Sequence, residues 1–262
     1  MELSFLWRNV MSKIAELFEE NDDWELKDIF KKEEFTKYKG SYTNAGFLDK
    51  YKNESKEKTK DFDKLLWKAQ NQMLCRFWEA AKFINFDNVN SWLDLGCGTS
   101  DFFKYVLDNT ENKIKEIVGV DLTQDFLDIS SEKLKEYDVK QEYFNHDITT
   151  FDLNRKFDLI TVSGIIQCMD IVQLPLLMER IVSHLNENGQ IWLDTINFDY
   201  RYKRRYYIVW TFKESEIIKL FEHYGFSNIQ TTTFNITPKK DENKQGFFLC
   251  VWGQKNVGID NG

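Results

Sequence analysis

Cysteine and histidine are scarce in this sequence. Cys75, Cys97, Cys168 and Cys250 are widely scattered with no C-x-x-C pair, which argues against a zinc site or a disulfide framework and for reduced, mostly buried thiols. His146, His184 and His223 stand apart and form no ligand cluster, so no metal is implied. No apolar run reaches the ~18 residues a membrane-spanning helix needs, and Met1 to Phe18 lacks the basic start and small-residue cleavage site of a secretory signal. The expectation is a cytoplasmic protein with no membrane partner. An excess of positive charge is missing too: 43 acidic against 35 basic residues leave a net charge of −8. That balance disfavours long-range attraction to nucleic acid, which is expected not to be a partner, although Arg201, Lys203, Arg204 and Arg205 make a local basic patch.

The chain has 262 residues, 42% apolar and 30% charged, enough to bury a substantial core as one large α/β domain or a domain with a helical attachment. Its most informative stretch is Leu93 to Phe102, LDLGCGTSDF. An apolar β run through Ser91, Trp92, Leu93 and Leu95 stops at Gly96 and Gly98, which allow backbone conformations and close approaches that a Cβ would block. Asp101 then begins a helix whose N-terminus faces the same crevice.

From about residue 90, β-like runs alternate with helical ones, the pattern of a parallel sheet wrapped on both faces. Strands are expected at Ile117 to Asp121, near Gln141 to Asn145, at Phe157 to Val162 and at Gln190 to Ile196, the last entered by a turn at Gly189. Apolar residues at helical spacing from Phe126 to Leu134, from Leu174 to Leu185 and from Glu214 to Tyr224 supply the intervening helices. Ile229 to Ile236 and Gly246 to Trp252 read as two antiparallel strands joined by the polar loop around Pro238. Before residue 90 the signal is helix only, with one apolar stripe at Leu3, Leu6, Val10, Ile14 and Leu17 and another from Phe62 to Ile84.

The glycine turn resembles the first motif of the class I S-adenosylmethionine-dependent methyltransferases, acidic-x-Gly-x-Gly-x-Gly, whose positions here read Asp94, Gly96, Gly98 and Ser100. A nicotinamide dinucleotide site would need a third glycine where this chain has Asp101. The resemblance covers roughly residues 90 to 253. It implies a Rossmann-like, seven-stranded, mostly parallel sheet with an antiparallel last strand, preceded by an N-terminal helical cover over 1–85 that closes a core of 86–262.

It also implies S-adenosylmethionine as cofactor and a role for several residues. Asp121, at the end of the second strand, would accept from both ribose hydroxyls. Leu122 would cover the adenine, and Asp147 and Ile148 would hold its amine and face. The methionine tail would lie on Gly96 and Gly98, with Asp94 as anionic partner of its ammonium and Arg76, twenty residues before Gly96, on its carboxylate. Ser163 would approach the cofactor from the end of the fourth strand. Tyr42, Gln167, Cys168 and Tyr200 are candidates for the acceptor side.

In-line displacement at a sulfonium-activated carbon needs alignment more than a general base, so the lack of an obvious base is no objection. The strand-four sequence Ser163-Gly164-Ile165-Ile166 lacks the acidic or Asn-Pro-Pro-aromatic signature of the adenine-N6 DNA enzymes, and Cys168 has no neighbouring proline as in the cytosine-C5 enzymes. The expected acceptor is therefore a nitrogen or oxygen of a small molecule or a peptide. A non-catalytic cofactor-binding subunit and an aminopropyl transferase are the alternatives, the latter lacking its acidic strand-four motif.

Overall fold

The computed structural model describes residues 76–111, 113–167, 169, 173–198, 205–206, 209–234 and 248–256. A helix over 76–83, α1, leads through a short 3-10 turn at Phe86–Asn88 into β1 (Ser91–Leu95). There follow α2 (Asp101–Asn109), β2 (Glu116–Asp121), α3 (Gln124–Leu134), β3 (Lys140–Asn145) and β4 (Phe157–Ser163). Next come α4 (Leu174–His184), β5 (Leu185–Ile196), a ribbon of β6 (Arg205–Tyr206) and β7 (Val209–Trp210), α5 (Glu214–His223), β8 (Phe226–Phe234) and β9 (Phe248–Lys255).

Seven strands form one sheet in the order β3-β2-β1-β4-β5-β9-β8. β1 pairs in parallel with β2 and β4, β2 with β3, and β4 with β5, whereas β9 runs antiparallel to β5 and β8. The expected mostly parallel sheet with a reversed last strand is present. Because the chain builds β1 to β3 outward and then returns to lay β4 on the other side of β1, the order reverses there and opens a crevice at the carboxyl ends of the strands.

Strand periodicity of two divides the core into two layers. Leu93 and Leu95 of β1 join Val118, Val120, Ile160, Val162, Ile191 and Leu193 on one face, under Leu177 and Ile181 of α4 and Leu220 and Phe221 of α5. Trp92, Ile117, Leu159 and Trp192 point to the other face and meet Phe77, Phe102, Phe103 and Leu127 of α1, α2 and α3. The Trp92 ring sits edge-on to Phe102 and Phe103, with centroids 5.0 and 4.6 Å away. Truncating such a buried aromatic to alanine costs ~3–5 kcal/mol.

Two local expectations change. The fifth strand begins already at Leu185, and the expected turn lies inside it as a bulge between the Leu185 and Gln190 pairings, with Asn188 at φ of 59° and Gly189 beside it. Asparagine tolerates the left-handed region, and Gly189 serves the turn by close approach: a Cβ on it would lie 2.8 Å from the Asn186 carbonyl oxygen. The small ribbon of β6 and β7 was not foreseen; its two-residue strands are too short to show a periodicity. Of the expected cover over 1–85, everything up to residue 75 lies outside the described residues. Its last stretch packs into the core: Phe77, Ala80 and Ile84 are buried, and Phe77 stacks on Phe102 at 4.5 Å.

Candidate functional site

The chain leaves β1 through Gly96 (φ 76°), Gly98 (φ 52°) and Ser100 (φ 59°), all left-handed. Glycine suits the first two positions because a Cβ in this region costs ~1–2 kcal/mol, a cost that Ser100 carries. A Cβ on Gly96 would fall 2.3 Å from Ile165 Cδ1, so this part of the turn is packed against the segment after β4, whereas one on Gly98 would meet nothing within 4 Å. Neighbouring elements fix the turn from below. Gly96 and Cys97 both donate their N–H to the Val120 carbonyl, at 2.7 and 3.2 Å. From α3, Ser130 Oγ donates to Gly98 O at 3.1 Å, and Lys133 Nζ reaches Thr99 O at 2.6 Å and Asp101 Oδ1 at 2.7 Å.

Asp121 ends β2 beside this turn. Its Oδ2 accepts from Gly98 N–H at 3.0 Å and its Oδ1 from Thr123 N–H at 2.8 Å. Burial pushes its pKa up, and those N–H groups act against the rise. Leu122 next to it is 40% exposed, an apolar surface at the crevice. After β3, Asp147 Oδ1 accepts from Thr149 N–H and Thr149 Oγ1 at 2.8 and 2.7 Å, an Asx turn, while Ile148 is partly buried against the core. His146 is exposed and stacks on Phe144.

Asp94 is nearly inaccessible beneath the turn. Trp92 Nε1–H donates to Thr161 Oγ1 at 2.8 Å, and the Thr161 hydroxyl donates to Asp94 Oδ1 at 2.5 Å. Since the indole occupies a lone pair of that hydroxyl, the single hydroxyl proton is directed at the carboxylate. Burial pushes the Asp94 pKa up to about 7; the Thr161 bond opposes this, and the charges of Asp194 and Asp121 add to it.

Arg76, on α1, spans the sheet edge to Asp194 near the end of β5. Its Nη1 donates to Asp194 Oδ1 at 3.1 Å and its guanidinium lies 5.1 Å from the centre of the Phe248 ring. Asp194 is fully buried and also accepts from Ser163 Oγ at 2.5 Å and Gly164 N–H at 3.0 Å. Thus Arg76, which the sequence reading reserved for a ligand carboxylate, already has a protein carboxylate on one nitrogen. Sequence reasoning missed Asp194 and Thr161. The available signal for Asp194 was a carboxylate near a strand's carboxyl end, as at Asp121. Gln167 is buried against Gly164. Tyr42, Cys168 and Tyr200 lie outside the described residues.

Residues 93–191 match the family model described as a methyltransferase domain, the stretch from β1 into β5 that carries the turn, Asp121 and Asp147. That stretch is a methyltransferase domain by this match, and the sheet around it has the fold of S-adenosylmethionine-dependent methyltransferases. No curated relative matches the sequence. Among solved structures, the methyltransferase domain of bacterial CtHen1-C is 18% identical with a TM-score of 0.58, over 70% of this chain and 98% of that one. The N-methyltransferase NodS from Bradyrhizobium japonicum WM9, solved with S-adenosyl-L-homocysteine, is 16% identical at a TM-score of 0.54, over 72% of this chain and 87% of that one. The small RNA methyltransferase HEN1 is 17% identical at 0.58, over 70% of this chain and 25% of that one.

This last likeness corrects the expectation that nucleic acid is excluded. The methyltransferase fold serves an enzyme of small RNA, and a net charge is a whole-chain sum that does not describe the field at the rim of one crevice. Among the described residues no helix is long and apolar enough to cross a membrane.

Proposed function

We propose that the methyltransferase domain binds S-adenosylmethionine across the ends of β1, β2 and β4 and transfers its methyl group in line to a nitrogen or oxygen of a small-molecule or peptide acceptor. The observation that carries this reading is the open space over Gly98 beside the Asp121 carboxylate and the exposed Leu122. Asp121 has lone pairs left for the ribose hydroxyls, Leu122 and Ile148 offer apolar faces to the adenine, and the second oxygen of Asp147 is available to its amine. Gly96, Gly98 and Ser163 bring backbone and a small side chain close to the methionine half, and Asp94 supplies negative charge to its cationic groups. When bound, the cofactor supplies a methyl carbon already activated by the sulfonium. The chain's own part is to hold that carbon and the acceptor atom in line, an alignment that supplies ~7–11 kcal/mol. Of residues 1–85, the part before α1 acts as the cover of this crevice, α1 itself being packed into the core.

Two fold neighbours bear names that favour an amine acceptor, NodS and the glycopeptide N-methyltransferase MtfA. A small RNA is the second reading, favoured by the likeness to HEN1. The test is calorimetry with S-adenosylmethionine, S-adenosylhomocysteine and NAD, followed by transfer of a radiolabelled methyl group into fractionated metabolites, peptides and RNA. Binding of the first two compounds and not NAD, with label in metabolites or peptides, is expected. Label in RNA selects the second reading. Cofactor binding without any transfer would make the domain a binding module, and no binding at millimolar ligand overturns the assignment.

A further inference from the structure

Around Gly164, three elements converge on one buried carboxylate. Asp194 of β5 receives Arg76 Nη1 from α1 at 3.1 Å, Ser163 Oγ at 2.5 Å and Gly164 N–H at 3.0 Å from the end of β4. Gly164 leaves room for this: with φ of 70° it has no Cβ, and one placed there would lie 2.5 Å from Arg76 Nη1 and 3.5 Å from Gln167 Nε2. The guanidinium and the Gln167 amide therefore share the surface of one glycine at the edge of the crevice.

Both of these side chains carry an orphan atom. Arg76 Nε is buried with no hydrogen-bond partner, and so is Gln167 Oε1. A buried guanidinium N–H left unmatched is costly, and here only the Nη1 side of the group is engaged. The two orphans are complementary: one is a cationic donor and the other a neutral acceptor. An α-amino acid end carries the matching groups, a carboxylate for the Nε–H of Arg76 and an ammonium for Gln167 Oε1.

We propose that Asp194 is a positioning residue for cofactor binding: it anchors Arg76 by Nη1 so that the Nε edge is presented, already oriented, to the methionine carboxylate of the cofactor, with Gln167 beside it for the ammonium. This rests on the S-adenosylmethionine reading above. A flexible arginine loses rotamer freedom when it grips a ligand, and anchoring one nitrogen beforehand removes part of that loss. Asp194 thereby acts through Arg76 and does not itself touch the ligand.

The test compares S-adenosylhomocysteine with 5′-methylthioadenosine, which keeps the nucleoside but has no amino acid end. In the full chain, Asp194→Asn and Arg76→Ala should each weaken S-adenosylhomocysteine by at least about tenfold and leave 5′-methylthioadenosine unchanged. The double variant should lose little more than either single one, since both act on the same bond. If Asp194→Asn fails to fold, Arg76→Lys carries the same expectation, because lysine keeps the charge toward Asp194 but has no second planar donor. Equal loss of both ligands would mean that Asp194 only supports the fold, and no loss of either, or fully additive losses, would equally overturn the proposal. Failure of the unaltered protein to bind either ligand would instead sink the methyltransferase reading.

Discussion

At the scale of single residues, the crevice is governed by carboxylates held at different depths. Asp94 has a pKa pushed up from 3.8 to about 7, chiefly by burial. In the unliganded fold its proton is therefore bound more tightly than in the unfolded chain, so its contribution to stability is full below 3.8 and is lost as pH rises through about 7. A sulfonium favours the ionised form; the neutral thioether of the product does not. The preference for S-adenosylmethionine over S-adenosylhomocysteine should accordingly rise several-fold from about pH 6 to about pH 8. Asp94→Asn should flatten that rise, and calorimetry at both pH values measures it.

Asp121 differs, because Gly98 N–H ties it to the glycine turn and Thr123 N–H to the start of α3, besides the ribose role proposed for it. Asp121→Ala should weaken the cofactor more than about tenfold while circular dichroism stays native. An unchanged affinity would remove the ribose role. These two positions could be read from the sequence because each stands where an apolar run meets a turn. Asp194 could not: its partner Arg76 is 118 residues away. The Trp92, Thr161 and Asp94 relay likewise joins strands 67 to 69 residues apart. A linear pattern shows the ends of elements, whereas these pairings arise only when β4 and β5 are laid beside β1.

At the scale of elements, the turn between β1 and α2 separates folding from binding. Both glycines have positive φ, but only Gly96 is crowded, by Ile165. Gly96→Ala should lower stability by roughly 2–4 kcal/mol, combining backbone strain with overpacking. Gly98→Ala carries only the strain of ~1–2 kcal/mol, yet its methyl group projects into the open space assigned to the cofactor. Thermal melts should therefore separate the two variants, and both should bind S-adenosylhomocysteine poorly. A Gly98→Ala protein of unaltered affinity would place the ligand elsewhere. The strand and helix order was legible because β1, β2 and β4 are buried on both faces and so read as continuous apolar runs, with amphipathic helices between them. The start of β5 was not, since the polar residues Asn186, Glu187 and Asn188 hide its pairing with β4 through Leu185 and Phe157.

At the scale of the whole molecule, the described residues by themselves supply a sheet, a core and a crevice. Among the described residues, both hydrophobic clusters are assembled between Phe77 and Trp252. The turn, Asp121, Asp147, Ser163 and Asp194 all fall within that span, and Arg76 lies one residue before it. A chain beginning at Asp61 retains every one of these groups together with α1, whose Phe77, Ala80 and Ile84 seal the face formed by Trp92 and Phe102. It should therefore fold cooperatively and bind S-adenosylhomocysteine within about threefold of the full chain, since no residue assigned to the cofactor has been removed. Methyl transfer is expected to behave differently. If residues 1–60 complete the acceptor pocket and keep water from the sulfonium, as a cover does, the shortened protein should bind its cofactor and yet lose most of its turnover. A melting curve, calorimetry and a labelled-methyl assay on the same preparation separate the possibilities. Full turnover would make the N-terminal region dispensable for catalysis and point to an assembly surface, whereas lost cofactor binding would show that the site extends beyond the residues assigned to it.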